Sequence, residues 1–262
     1  MSPNNMYYKK VDKKKKDEPF LKAIEDIIQI FPAIGYQETA KILRKTITIG
    51  KNKVYRLMRD NNLLNRKRPT KKPFFTQSNH KLFKYNNLIK GEKTTNTNQI
   101  IVGDVTAFDI NGKDHYIALL MDLHNREIVG CSISIKNNTN LVLSALEDAY
   151  IRRGNLSGCI HHTDADVRYC SDKYIFRLNE IGMKSSMCVG NVYENAHAES
   201  LNGTLKREEI NISEYSSKEE ASVRIFEYVK KYNEIRPHSG LNDMSPLEYI
   251  SNKNNLKNSI KI

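Results

Sequence analysis

No apolar run in this 262-residue sequence approaches the roughly 20 residues that a membrane-spanning helix needs. The opening stretch, MSPNNMYYKKVDKKKKDEPF, is basic with no apolar segment behind it, so it does not read as a secretory signal. Cysteine is scarce. Cys131, Cys159, Cys170 and Cys188 form no CxxC pair and no short zinc spacing. That argues against a zinc ribbon and a disulfide framework, and for reduced thiols in a cytoplasmic protein.

Negative charge is also in short supply, but only in one part. The net charge is +12, and residues 1–97 hold 23 Lys and Arg against 8 Asp and Glu. Residues 98–262 hold the other 19 against 22. A basic front could bind polyanions through counterion release, and a slightly acidic back could carry a carboxylate site. Composition alone leaves a solvated Lys-rich surface equally open.

Residues 1–18 read as a disordered basic tail, because Lys13-Lys14-Lys15-Lys16 is a like-charge block with little apolar content. A helix is expected from about Pro19, with Leu21, Ile24, Ile27, Ile28 and Phe31 at helical spacing. Two short helices follow over 37–45 and 51–61, giving a helix-turn-helix domain over 19–64. In that reading Lys51, Asn52, Lys53 and Arg56 face DNA, while Val54, Leu57 and Met58 face the core. A helical bundle with no ligand would show the same periodicity. Residues 65–99 read as a basic linker whose Arg66, Lys67 and Arg68 add phosphate contacts.

From Ile100 the pattern changes. Strands are expected over 100–106, 115–123 and 127–135, joined by short hairpin links. A helix over 141–153, a strand over 158–162, a helix over 172–181 and a strand near 183–187 follow. Long helices are expected from about 194 to 209 and from a Ser217/Glu220 capping box to Arg236, then a short helix opening at Ser245-Pro246. Residues 253–262 read as a tail. The order suits a mixed α/β, ribonuclease-H-like five-stranded sheet flanked by helices over 100–252.

Three acids stand out on this outline. Asp104 lies mid-strand in IIVGDVT, where an unpaired carboxylate is costly to bury. Asp164 ends the apolar run of GCIHHTDADVRYC, with Asp166 adding negative charge just beyond it. Glu199 lies on a helix whose polar face also carries Asn195, Asn202 and Lys206, opposite a stripe of Ala198, Leu201 and Leu205. Singly, each reads as well as a strand end, a structural carboxylate or a solvated helix face. Jointly they could hold two Mg²⁺ ions, with Mn²⁺ as a substitute, roughly 3.5–4 Å apart, the arrangement used for phosphodiester chemistry.

The blocks VGDVTAF, Met121-Asp122-Leu123, Arg126-Glu127-Ile128-Val129-Gly130, HTDADVRY, SSMCVGNVYENAHAESLNGTLKRE and YNEIRPHSGLNDMSPLEYI resemble bacterial insertion-sequence transposases. The resemblance is to the second-frame (orfB) type, whose DDE catalytic core is retroviral-integrase-like. GYQETAKILRK and KVYRLMRDNNLL resemble that family's helix-turn-helix segment. The resemblance implies that Asp104, Asp164 and Glu199 are catalytic metal-binding acids. It also implies that Asn195, Ser200, Asn233, Arg236 and His238 form a supporting shell. DNA strand cleavage and strand transfer by direct transesterification would follow. The implied partners are double-stranded DNA (element ends and target), further copies of the chain on DNA, and an upstream-frame (orfA) protein or fusion. The implied location is the bacterial nucleoid. The alternative is a DNA-binding regulator derived from such a transposase and weakened in catalysis. A ribonuclease H is favoured by fold alone, and the helix-turn-helix argues against it.

Overall fold

The computed structural model describes residues 13–64, 80–188 and 195–259. The chain divides into two compact units, Met1–Lys67 and Arg68–Ile262.

The first unit packs three helices, α1 (Lys13–Ile30), α2 (Tyr36–Leu43) and α3 (Lys51–Asp60). Ile24 and Ile27 from α1 and Phe31 just after it meet Ala40 and Leu43 from α2 and Val54, Leu57 and Met58 from α3, all buried. These are the apolar positions at helical spacing, and α3 presents its expected core face. The sequence places the start of α1 near Pro19, but the helix begins at Lys13 and carries Pro19 inside it. A proline there removes one backbone hydrogen bond. The turn ahead of it is held from outside: the Asp17 carboxylate pairs with Lys53 Nζ at 2.8 Å and Arg56 Nη2 at 2.6 Å, both on α3. Local propensity carries no trace of such a contact.

The second unit is a five-stranded sheet in the order β3-β2-β1-β4-β5. Its strands are β1 (Ile100–Ile110), β2 (Lys113–Asp122), β3 (Ile128–Ser134), β4 (Ile160–Asp164) and β5 (Lys184–Cys188). β1–β2 and β2–β3 are antiparallel, and β1–β4 and β4–β5 are parallel. This is the mixed, ribonuclease-H-like sheet expected. The first hairpin runs further than the sequence suggests. Asn111 (φ 52°) and Gly112 (φ 80°) make a two-residue turn, so pairing extends to Ile110 opposite Lys113.

The helices of this unit are α4 (Thr139–Arg153), α5 (Asp172–Ile181), α6 (Ala196–Glu208), α7 (Lys218–Glu234) and α8 (Pro246–Ser259). α4 starts where the Asn138 side chain accepts from Leu141 N–H and ends at Gly154 (φ 71°). α7 starts where Ser217 accepts from Glu220 N–H, while the Glu220 carboxylate reaches back to Ser216 N–H. Ala145, Leu146 and Ala149 of α4 and Tyr174 and Leu178 of α5 form one core with Ile101, Val105, Ala118, Leu120 and Val129 of the sheet. Gly130 allows this packing, because a Cβ there would run into the Ala145 carbonyl oxygen. α6 lies on the other face of β1. Along β1 side chains alternate, so Ile101 and Val105 enter the first core while Asp104 turns toward α6.

Two boundaries differ from the sequence reading. Residues 80–99 are not a free linker: Leu88 N–H donates to Ser186 Oγ, His80 Nε2 contacts the Ala165 carbonyl, and Tyr85 packs on the core. Tyr85 gains by packing on the core, while Leu82, Phe83 and Leu88 stay exposed. At the other end α8 continues to Ser259, where a tail was expected from 253, and Lys253 Nζ reaches the Thr95 carbonyl and His124.

Candidate active site

The β1–β4 ladder decides where the first two acids fall. Ile100 pairs with Ile160, Ile101 with His161 and Val102 with His162. Continuing that register by two residues sets Asp104 across from Asp164. Both carboxylates are half-buried, and the Asp104 charge raises the proton affinity of Asp164. Burial pushes Asp104 up to about 6, and the nearby Glu199 carboxylate adds to it; the Val105 N–H and the Asn202 amide act against this. Burial pushes Asp164 up to about 7, with Asp104 and Asp166 adding to it.

α6 supplies the third side. Its apolar stripe, Ala198, Leu201 and Leu205, is buried as the spacing predicts. Asn202 Nδ2 donates to Asp104 Oδ2 at 2.8 Å, and Asn195 Nδ2 donates to the Gly103 carbonyl at 3.3 Å. These two amides pin the helix over β1. Glu199 lies between them in sequence, one turn from Asn202, and is exposed. Lys206 lies one turn further; burial lowers its pKa while the Asp104 charge opposes that shift.

Several oxygen atoms of this region have no partner among the described residues: Asp164 Oδ1, Asn195 Oδ1, Asn202 Oδ1 and the Tyr169 hydroxyl are buried without a hydrogen bond there. Buried polar groups are normally satisfied, so such a set calls for a cation or ordered water. Hard oxygen donors suit Mg²⁺ or Mn²⁺, and Mg²⁺ commonly takes only one or two carboxylates and fills its remaining positions with water and phosphate. Among the described residues, no three His, Cys, Asp or Glu side chains are grouped closely enough to hold an ion by themselves. Asp104 and Asp164 thus lie on adjacent strands, with the Glu199 charge near Asp104 on exposed α6 surface.

The other expected residues divide. Asn195 and Lys206 lie at the acids. Ser200 is exposed, and its carbonyl accepts from Thr204 Oγ1. Asn233 exchanges two 2.9 Å hydrogen bonds with the Ile128 backbone, clamping α7 to β3. Arg236 holds Glu208 through two hydrogen bonds of 2.8 and 2.7 Å. His238 packs its ring against Tyr232, and its N–H donates to the Met244 carbonyl. These last three brace helices. On α3, Lys51 and Asn52 are exposed, but Lys53 and Arg56 are both engaged by Asp17. Tyr55 and Arg59 share the exposed face with Asn52 and were not singled out from the sequence. Their i, i+3, i+7 spacing from Asn52 was the available signal. Arg66, Lys67 and Arg68 lie outside the described residues. Asn202 is the partner of Asp104 that sequence reasoning noted only as part of a polar face.

Comparison with known proteins follows the same boundaries. Residues 94–190 and 184–246 match the family described as Integrase core domain. The chain is similar to the transposase for insertion sequence element IS904 of Lactococcus lactis, at 37% identity over 60% of this chain and 63% of that protein. It is similar to the putative transposase InsK of IS150 from Escherichia coli, at 34% identity over 60% of this chain and 56% of that one. The match thus spans less than two thirds of either relative. The insertion element IS600 31 kDa protein of Shigella sonnei is 32% identical over 78% of this chain and 75% of its own length. A magnesium-bound HTLV-2 integrase catalytic core aligns at a TM-score of 0.47 with 16% identity, over 60% of this chain and 99% of that one; a likeness so weak adds nothing to the chemistry. Integrase-core matches that run through the whole sheet, and an insertion-element relative matched over three quarters of its length, place this chain in the family of bacterial insertion-sequence transposases with an integrase-like core.

Proposed function

We propose that this protein is a DNA transposase that cleaves DNA strands and transfers them by metal-dependent transesterification, with Asp104, Asp164 and Glu199 as its catalytic acids. The observation that carries the reading is the convergence of Asp104 and Asp164 on neighbouring parallel strands beneath the polar face of α6. When bound, two divalent cations would supply activation of the attacking oxygen and stabilisation of the leaving oxygen. Asp104 is held for that task by Asn202 and the Val105 N–H, so its carboxylate has one orientation. Asp164 offers an uncommitted oxygen at a strand end. Lys206 provides a cation toward a phosphate at the mouth of the site. Double-stranded DNA is the substrate and target, the chain self-associates on it in the nucleoid, and an upstream-frame protein or fusion takes part in recognising element ends.

The test is nicking of supercoiled plasmid with Mg²⁺ or Mn²⁺ by wild type and Glu199→Gln. Metal-dependent nicking by wild type alone is the expected result. Equal nicking by both would remove Glu199 from the chemistry and defeat the triad. DNA binding without nicking by either would favour the regulator reading.

The DNA contacts of the first unit give a second expectation. Any phosphate that reaches Lys53 and Arg56 competes with Asp17. Asp17→Asn in the full chain should tighten duplex binding about threefold at low salt, with the gain fading as salt rises. Fluorescence anisotropy against salt concentration measures it. Unchanged or weaker binding would show that these two side chains serve only to hold α1.

A further inference from the structure

Just beyond Asp164 in the chain lies a charged pair whose partners are both almost wholly buried. Asp166 is 2% exposed and Arg168 is 4% exposed. Arg168 Nε donates to Asp166 Oδ1 at 2.5 Å, the Arg168 backbone N–H donates to the same oxygen at 3.0 Å, and Arg168 Nη1 donates to Asn137 Oδ1. The pair sits in the turn that leaves β4: Tyr169 and Cys170 N–H both donate to the Asp166 carbonyl, and Ser171 Oγ donates to the Arg168 carbonyl. Asp164 is two residues before Asp166. From the sequence alone Asp166 reads as a surplus negative charge beside an acidic cluster. In the fold it is neutralised by a guanidinium that cannot lose its proton.

A buried arginine needs a reason, because hiding a charge costs more than a surface pair returns. Here the reason lies next door. Asp104 and Asp164 are two carboxylates crowded into low-dielectric surroundings, and both are eased by the Arg168 charge. We propose that Arg168 is a built-in counter-ion for the Asp104/Asp164 pocket, and that Asp166 and Asn137 hold it to one side so that metal can still enter. Arg168 is thus a positioning residue, acting through the charge of the pocket and not on the substrate. This inference rests on the metal-dependent reading above.

The consequence is a pair of opposite effects. Removing Arg168 leaves Asp166 as extra negative charge, which draws a divalent cation in. Removing the Asp166 charge leaves Arg168 uncompensated, which repels it. One unit charge at this range is worth about tenfold in affinity. The experiment is calorimetric titration of the metal-free full-length protein with Mn²⁺, for wild type, Arg168→Gln, Asp166→Asn, the double variant and Arg168→Lys. Arg168→Gln should bind Mn²⁺ about tenfold tighter and Asp166→Asn about tenfold weaker. The double variant should return to within about threefold of wild type, by the rule for coupled neighbours. Arg168→Lys keeps the charge and should stay near wild type even though the fork geometry is lost. It keeps the test decisive if Arg168→Gln folds poorly. Shifts in the same direction for both single variants, or none, would overturn the counter-ion and leave only a brace for the turn. Absence of Mn²⁺ binding by the wild type would defeat the metal reading itself, and this inference with it.

Discussion

Asp164→Asn should stabilise the metal-free protein at pH 8 and abolish strand cleavage in the same molecule. The stability half follows from linkage. An unfolded aspartate titrates near 3.9, and burial with Asp104 and Asp166 alongside raises the folded Asp164 to about 7. The native state therefore binds this proton more tightly than the unfolded state does. Unfolding free energy must fall as pH rises between those two values, and the penalty is complete above pH 7. Below about pH 4 the acid is neutral in both states and the penalty vanishes. The full shift is worth about 4 kcal/mol, and solvent at the half-buried carboxylate screens about half of it, so the amide should gain about 2 kcal/mol at pH 8, or about 5 °C in melting temperature for a unit of this size, and close to nothing at pH 4. Adding Mg²⁺ should narrow the gap, because a cation that binds only the folded wild type stabilises it by mass action. The catalytic half rests on the proposed role. Loss of a metal-binding carboxylate that supplies several kcal/mol at the transition state should cost roughly a thousandfold or more in plasmid nicking. Thermal melts at several pH values beside the nicking assay read both halves. An Asp164→Asn protein that melts below wild type at pH 8, or gains equally at pH 4, would contradict the crowded-carboxylate account.

Arg236→Ala should produce the opposite pattern, a large loss of stability with little effect on chemistry below the melting point. Arg236 and Glu208 form a bidentate pair with little solvent contact, the Tyr228 hydroxyl donates to the same carboxylate at 2.9 Å, and the guanidinium lies 5.6 Å from the Tyr232 ring centroid. Truncating the arginine strands the Glu208 charge among aromatic rings. Breaking a buried pair from one side costs about 3–5 kcal/mol. That corresponds to a drop of about 10 °C or more in melting temperature, and to a lower urea midpoint with an unchanged slope. The sequence reading set Arg236, with Asn233 and His238, in the shell of the active site. If Arg236→Ala melts like wild type yet fails to nick DNA at low temperature, that reading is right and the bracing role is wrong.

These two residues show where the sequence was informative. Helix and strand periodicity, caps and turn residues placed most elements of both units, because those signals arise from neighbours a few residues apart. Asn138, Gly154 and the Ser217/Glu220 pair are local devices, and each sits where its chemistry predicts. Three carboxylates could be singled out because an acid within an apolar strand, or on a polar helix face with two amides, is unusual by itself. What the sequence could not give was who meets whom. The start of α1 ahead of Pro19 depends on Asp17 reaching α3, thirty-six residues away at Lys53 and thirty-nine at Arg56. Residues 80–99 look polar and unstructured until Ser186, Ala165 and the core are in place for Leu88, His80 and Tyr85 to contact. The partners of Arg236 and His238, Glu208 of α6 and Tyr232 of α7, are likewise set by packing between elements. The charge of Asp166 depends on Arg168 being folded back onto it, which needs Asn137 from another loop. Local propensity and pattern are properties of the chain and can be read along it. Burial, pairing and the raised proton affinity of Asp104 and Asp164 come from charges brought together out of water, and only the tertiary structure does that.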